Sequence, residues 1–414
     1  MFSGTRYRNL LLICCLLGAL VGLFGAGFAT VWHAVHDWIW TPEVRPIDRI
    51  WISTGAGLII GLIMQLWFDP GNMSTIVRRF HAEGRLDHAD NKPILPASLV
   101  GLVGGQSAGP EGVLTQICGS MGTWLADRFR RPGFARILTL AGMGAGFGAF
   151  LGAPVGGSLL WLELLHRRGL EYYEAIIPTI LTSFVGYMVM SALLGMPVGP
   201  MWNPQPMTPE TYHHLVVAIG MGGICAGAAY GYAKLFRTIG RTSQRLNMPI
   251  VMRTTVAGLI IGVCGYYFPL SYFYGAVEMQ QLFEMSLPLL VILGTLIAKM
   301  IAAGVTINGS WQGGLIIPHL FMGALIGKTV TLLVPTIDPS LAMLTGMVAF
   351  NAAATQTPLA SALIVLTLTG TGHPIPIFLA SLTGYLVGYR VELIQYKQRR
   401  SEAPEFHLPV AKAV

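Results

Sequence analysis

Apolar runs long enough to enter or cross a bilayer dominate this 414-residue chain, near 9–32, 50–68, 172–196, 213–235, 251–268, 287–307 and 340–390. A straight spanning helix needs roughly 20 such residues, so water-soluble folds are excluded at the outset. Composition agrees: 53% of residues are hydrophobic and 11% charged, and a mean hydropathy of +0.60 is that of an integral membrane protein. Shorter apolar segments at 94–106, 110–125, 135–151, 153–165, 313–333 and 357–370 are punctuated by Gly and Pro. Broken backbone at membrane depth survives only where protein or an aqueous cavity satisfies its amides. These segments therefore predict tilted or partial helices that meet inside the protein.

The first run is long and no small-residue cleavage site precedes a soluble domain, so it reads as a retained helix rather than a signal peptide. Cys14, Cys15, Cys118, Cys225 and Cys264 are odd in number and scattered through apolar segments without metal-like spacing. They read as small hydrophobes, and neither a metal nor a cofactor is called for. The +7 net charge comes from short loops, so it speaks of orientation and not of nucleic acid. Arg6 and Arg8, 78–92, 128–136, 166–168, 237–253 and 397–400 carry most of the Lys and Arg, whereas 195–214, 267–286, 334–340 and 370–375 carry none. The positive-inside rule then predicts a multi-pass protein of the cell (inner) membrane with both termini cytoplasmic. Lys299 and Lys328 fall within apolar helices, where snorkelling to an interface is the simplest account.

The chain also repeats itself. "AGLIIG" occurs at 56–61 and 257–262, the glycines at 18 and 25 correspond to those at 220 and 227, and Gly142-Met143…Pro154 corresponds to Gly346-Met347…Pro358. Offsets of 201 to 204 residues divide one transmembrane domain, 1–395, into halves of about 1–205 and 206–395, with a short basic cytoplasmic tail at 396–414. Repeats in membrane proteins commonly have inverted topology and meet near the midplane at discontinuous helices. The matching interrupted segments are "GQSAGPEGV" and "GSWQGGLIIP". Helix N-termini from both halves would offer unpaired N–H groups to an anion without a full positive charge. Only the first segment carries an acid, Glu111; a constant offset of 204 places Leu315 opposite it. A carboxylate at membrane depth is costly and by default functional.

These features resemble the CLC family of chloride channels and chloride/proton antiporters. The family's Gly-Arg/Lys-Glu-Gly-Pro signature is similar to Gly109-Pro110-Glu111-Gly112-Val113, and its Gly-x-Phe-x-Pro to Gly314-Leu315-Ile316-Ile317-Pro318. Its Asn-Ala-Pro stretch is similar to Gly152-Ala153-Pro154, echoed at Thr357-Pro358-Leu359. The resemblance implies an all-α polytopic fold with an inverted repeat of tilted and discontinuous helices. It makes Glu111 the gating acid, and Gly109, Gly112, Val113, Ile316 and Ile317 part of the anion path. The loop that gives the family's serine falls near Pro70–Ser74, with Gly71 or Asn72 at the matching place, and an Asn amide can still donate to an anion. Tyr389 and Tyr396 are candidates for the inner-gate tyrosine, with Tyr385 also within reach.

One departure bears on coupling. The inner proton-relay glutamate of the antiporters matches Leu164, with the neighbouring acid at Glu163. Channel-like conduction of small anions is therefore favoured, chloride first, with fluoride, nitrate or bromide open because the serine is missing. The alternative is Cl⁻/H⁺ or F⁻/H⁺ exchange with Glu163 as a substitute acid, although an ion pair with the basic loop at 166–168 is the plainer account of that residue. His319, just past Pro318, is open between pathway lining and packing. The resemblance further implies homodimers with one pathway per subunit, with the apolar helices near 172–196 and 374–390 as interface. The short stretch after the last helix leads one to expect none of the cytoplasmic nucleotide-binding domains found in many relatives. A rival motif, Gly105-Gln106-Ser107-Ala108-Gly109, fits the nucleophile elbow of serine hydrolases. That elbow needs a preceding strand and later His and acid partners, so an intramembrane hydrolase is a remote alternative and the protein reads as no enzyme.

Overall fold

A computed structural model describes residues 4–165, 170, 172–195, 198–207, 211–391 and 393. The tail at 396–414, Tyr396 with it, lies outside the described residues. Sixteen α-helices and no named strand are found among them. Eight candidate spans are long and apolar enough to cross a membrane, so this is a multi-pass membrane protein.

The first half runs α1 (Gly4–Ile39), α2 (Asp48–Leu66), α3 (Met73–Glu83), α4 (Asn91–Val103), α5 (Glu111–Arg128), α6 (Ala135–Leu151), α7 (Pro154–Leu164) and α8 (Ile176–Leu194). The second half repeats the series as α9 (Tyr212–Leu246), α10 (Ile250–Tyr267), α11 (Ala276–Glu284), α12 (Leu289–Asn308), α13 (Ile316–Leu333), α14 (Pro339–Thr355), α15 (Pro358–Thr369) and α16 (Pro374–Val387). Proline begins α7, α14, α15 and α16, where its missing N–H costs nothing.

Small residues let the repeats pack in kind. Gly142 of α6 lies against the backbone of Cys118 and Gly119 in α5, and Gly346 of α14 lies the same way against Gly323 of α13. The "AGLIIG" helices α2 and α10 cross each other: Cβ atoms added at Gly61 and Gly262 would stand 2.5 Å from the Cα of Val251 and 2.6 Å from that of Ile50. Backbone-to-backbone approach of this kind is how helices associate where lipid offers no hydrophobic drive.

The structure corrects one lysine and refines the other. Lys299 does not snorkel: it is fully buried, its Nζ donating to the Phe273 carbonyl at 2.6 Å and the Ser271 carbonyl at 3.4 Å, with the Phe321 ring 5.3 Å away. Lys328 is partly buried and its ammonium reaches the carbonyls of Leu282 and, at 2.5 Å, Met285, the last turn of α11. All five cysteines are free thiols, with Cys14, Cys118 and Cys225 buried.

Candidate functional site

The two interrupted segments meet. Gly109 and Gly314 exchange reciprocal backbone hydrogen bonds of 2.9 Å, an isolated antiparallel bridge between the halves. The Gln106 side chain braces it, its Nε2 donating to the Ala108 carbonyl at 2.9 Å and the Gln312 carbonyl at 3.3 Å. From this junction α5 starts at Glu111 and α13 at Ile316. By helix start, Ile316 rather than Leu315 is the counterpart of Glu111, because the two loops differ by one residue from the constant offset.

Glu111 is 3% exposed. Its side chain crosses to the second half, where Oε1 accepts from the Ile317 amide at 3.3 Å. Oε2 is buried with no hydrogen-bond partner. The carboxylate thus sits on the N-terminus of an eighteen-residue helix, where orphan N–H groups and the dipole favour negative charge. Glycine on either side of the junction makes room. A Cβ at Gly109 would collide with the carboxylate, and one at Gly314 would stand 2.6 Å from the Glu111 Cβ.

Glu111 lines an internal cavity of about 60 Å³ together with Asn72, Gly313, Gly314, Leu315 and Ile316. That is room for one or two bodies the size of water. Asn72 caps α3, its Oδ1 accepting from the Ser74 amide at 3.0 Å. With the carbonyl oxygen so used, the two N–H donors of Asn72 are what it presents elsewhere. A second, polar cavity of about 170 Å³ adjoins at Asn72 and is lined by Asp69, Gly71, Arg253 and Gln312 among others. Asp69 holds this loop to the second half, accepting from Arg253 Nη2 at 3.1 Å and Ser310 Oγ at 2.8 Å.

The remaining expected residues divide. Gly112 faces the Gly313 backbone beside the junction, and Leu164 lines the cavity. The Val113 side chain is fully buried in an apolar cluster with Leu102, Ile117 and Trp32. Tyr389 is 61% exposed and its hydroxyl pairs with Arg390, so it does not reach the cavity; Thr355 and Leu393 line that end instead. Glu163 is buried, and the basic loop at 166–168 expected to pair with it lies outside the described residues. Its oxygens accept from the amides of Leu359 at 3.1 Å and Ala360 at 2.8 Å, at the start of α15. Ser107 follows a helix, not a strand, and its hydroxyl donates to the Ser271 carbonyl at 3.4 Å. Sequence reasoning missed Phe147, Trp161 and Phe236 on the wall, since an aromatic in an apolar helix carries no mark of the surface it faces.

Paired broken helices presenting N-termini and one buried acid to a cavity inside a polytopic repeat define a membrane transport protein for anions. The family described as voltage gated chloride channel matches residues 93–389, and the chain belongs to it. An uncharacterized protein of Methanocaldococcus jannaschii is 27% identical over 371 residues, covering 89% of this chain and 91% of the relative. A protein of Pseudomonas syringae pv. tomato named chloride/fluoride channel protein is 26% identical over 429 residues, covering 95% and 87%. Among solved structures, a CLC-type fluoride/proton antiporter superposes with a TM-score of 0.84 at 17% identity, over 96% of this chain and all of that one.

Proposed function

We propose that this protein conducts small inorganic anions, chloride first, across the cell membrane in a homodimer with one pathway per subunit, and that Glu111 is the gate. One observation carries the reading: the Glu111 carboxylate occupies the N-terminus of α13 with one oxygen on the Ile317 amide and the other unpartnered. An anion in the cavity would compete for the same N–H groups. Protonation removes the charge of the acid and frees the site, so flux should rise as pH falls. The helix-end amides near Gly112, Ile316 and Ile317 and the Asn72 amide are the proposed ligands, with Gly71 on the approach to them.

Conduction without coupled proton transport is favoured because Leu164 lines the cavity where an inner acid would act, while both oxygens of Glu163 are engaged by backbone amides of α15. The relative named a chloride/fluoride channel protein agrees with that choice and leaves fluoride open. The antiporter structure keeps exchange as the second reading. For Ser107, a carbonyl partner in place of an imidazole speaks against a nucleophile.

The test is reconstitution into liposomes under a chloride gradient, recording anion efflux and external pH together. Brisk efflux without proton movement is expected; protons driven against their own gradient by chloride would overturn the uncoupled reading. Unchanged pH dependence in Glu111→Gln would overturn the gate.

A further inference from the structure

Besides Glu111, His319 is the one titratable side chain among the described residues that line the cavity. It stands in the first turn of α13, its backbone N–H donating to the Leu315 carbonyl at 2.9 Å. Ile316 and His319 are three residues apart and share a helix face. The imidazole therefore follows directly on the amide end that receives Glu111. The side chain is 1% exposed; neither ring nitrogen makes a hydrogen bond of normal geometry, and the Asn351 side chain, its own Oδ1 unpaired, is the polar neighbour on the protein side. Tyr232 meets the imidazole edge-on with ring centroids 5.6 Å apart, and Phe350 flanks it at 5.8 Å. Two aromatic rings thus hold the orientation of the imidazole, and the Tyr232 hydroxyl is itself buried without a hydrogen-bond partner. Buried polar groups are nearly always paired, so a doubly unpaired imidazole on a cavity wall points to a ligand.

We propose that His319, as a neutral imidazole, donates an N–H to the transported anion, holding it from the α13 side while the Asn72 amide holds it from the α3 side. The inference rests on reading this cavity as the anion pathway. A neutral imidazole has one donor and one acceptor, so it replaces part of the hydration shell of an anion without adding a fixed charge. Binding can then be favourable enough to admit the anion and weak enough to release it, as conduction requires. The same N–H supplies a side-chain donor from the second repeat half, facing Asn72 and Ser74 of the first across the cavity. It is a matter of specificity as well as affinity, since a directional N–H discriminates between a compact halide and nitrate.

The experiment compares wild type, His319→Leu, His319→Met, His319→Gln and Glu111→Gln. Chloride binding is measured by calorimetric titration of detergent-solubilised protein with potassium chloride, and the chloride-to-nitrate efflux ratio in liposomes. The Leu and Met variants both lack a donor; either one that is monodisperse serves. Each is expected to weaken chloride binding at least about fivefold and to shift the efflux ratio, whereas His319→Gln, which keeps an N–H, is expected to stay within about twofold of wild type. Wild-type binding in a donorless variant would overturn the proposal, and so would a His319→Gln protein as impaired as the donorless ones. Glu111→Gln separates the two readings. If it alters efflux while the donorless variants bind normally, only the role of His319 fails; if wild type binds no chloride at all, the pathway reading fails first.

Discussion

Two buried carboxylates, each seated on the N-terminus of a helix from the other repeat half, are held differently. Glu163 spends both oxygens on α15, at 3.1 and 2.8 Å. Glu111 spends one on α13, at 3.3 Å, and leaves the other unpaired. The chemistry of the seat is the same, orphan amides at the positive end of a helix dipole. The difference lies in saturation and in space. Glu163 is a staple between α7 and α15, while Glu111 sits loosely between two glycines beside a cavity. The acid proposed as the gate is the one its site holds incompletely.

Four substitutions would break or sharpen that contrast. Glu163→Ala should be the most damaging, leaving two buried amides of α15 without acceptors; a loss of about 3 kcal/mol or more is expected as a lowered thermal midpoint in detergent. Next, Gly314→Ala places a Cβ against the Glu111 side chain; overpacking of about 1–3 kcal/mol should drive the acid from its seat. Its signature in liposomes would be efflux altered together with blunted pH response. Glu163→Gln keeps an acceptor for one amide, so about 1 kcal/mol is lost and efflux keeps its pH profile. Smallest in stability is Glu111→Gln, within about 0.5 kcal/mol because the amide oxygen still accepts from Ile317 and the other oxygen had no partner to lose. Its effect should appear in transport alone, as efflux that no longer rises when pH falls. Should Glu111→Gln destabilise as much as Glu163→Ala, the two acids would not differ and the distinction between gate and staple would collapse.

Much of this was legible in the chain. The bilayer-length runs, the 204-residue repeat and the lone acid among glycines at 109–112 led to the junction of the two broken segments and to Glu111 on it. Asn72 could be named but its orientation could not, since that depends on Oδ1 capping α3. Long-range partners were hidden from the sequence. Lys299 looked like an interface charge because its partner, the Phe273 carbonyl, is a loop backbone atom 26 residues away that no composition reveals. The amides of Leu359 and Ala360 that hold Glu163 are 196 and 197 residues from it and equally hidden. Tyr389 was a gate candidate by position; it lies in the turn just past α16, exposed and paired with Arg390.

The sequence by itself determined the membrane class, the helical repeat and which segments are broken, because hydropathy, helix length and Gly/Pro punctuation act locally along the chain. The tertiary structure alone decided which acid is held and which is loose, which side chains face the cavity, and that His319 stands there unpaired. Those properties depend on where helix ends and carbonyls from the opposite half come to rest, and a backbone hydrogen-bonding group reads the same at every position in a sequence.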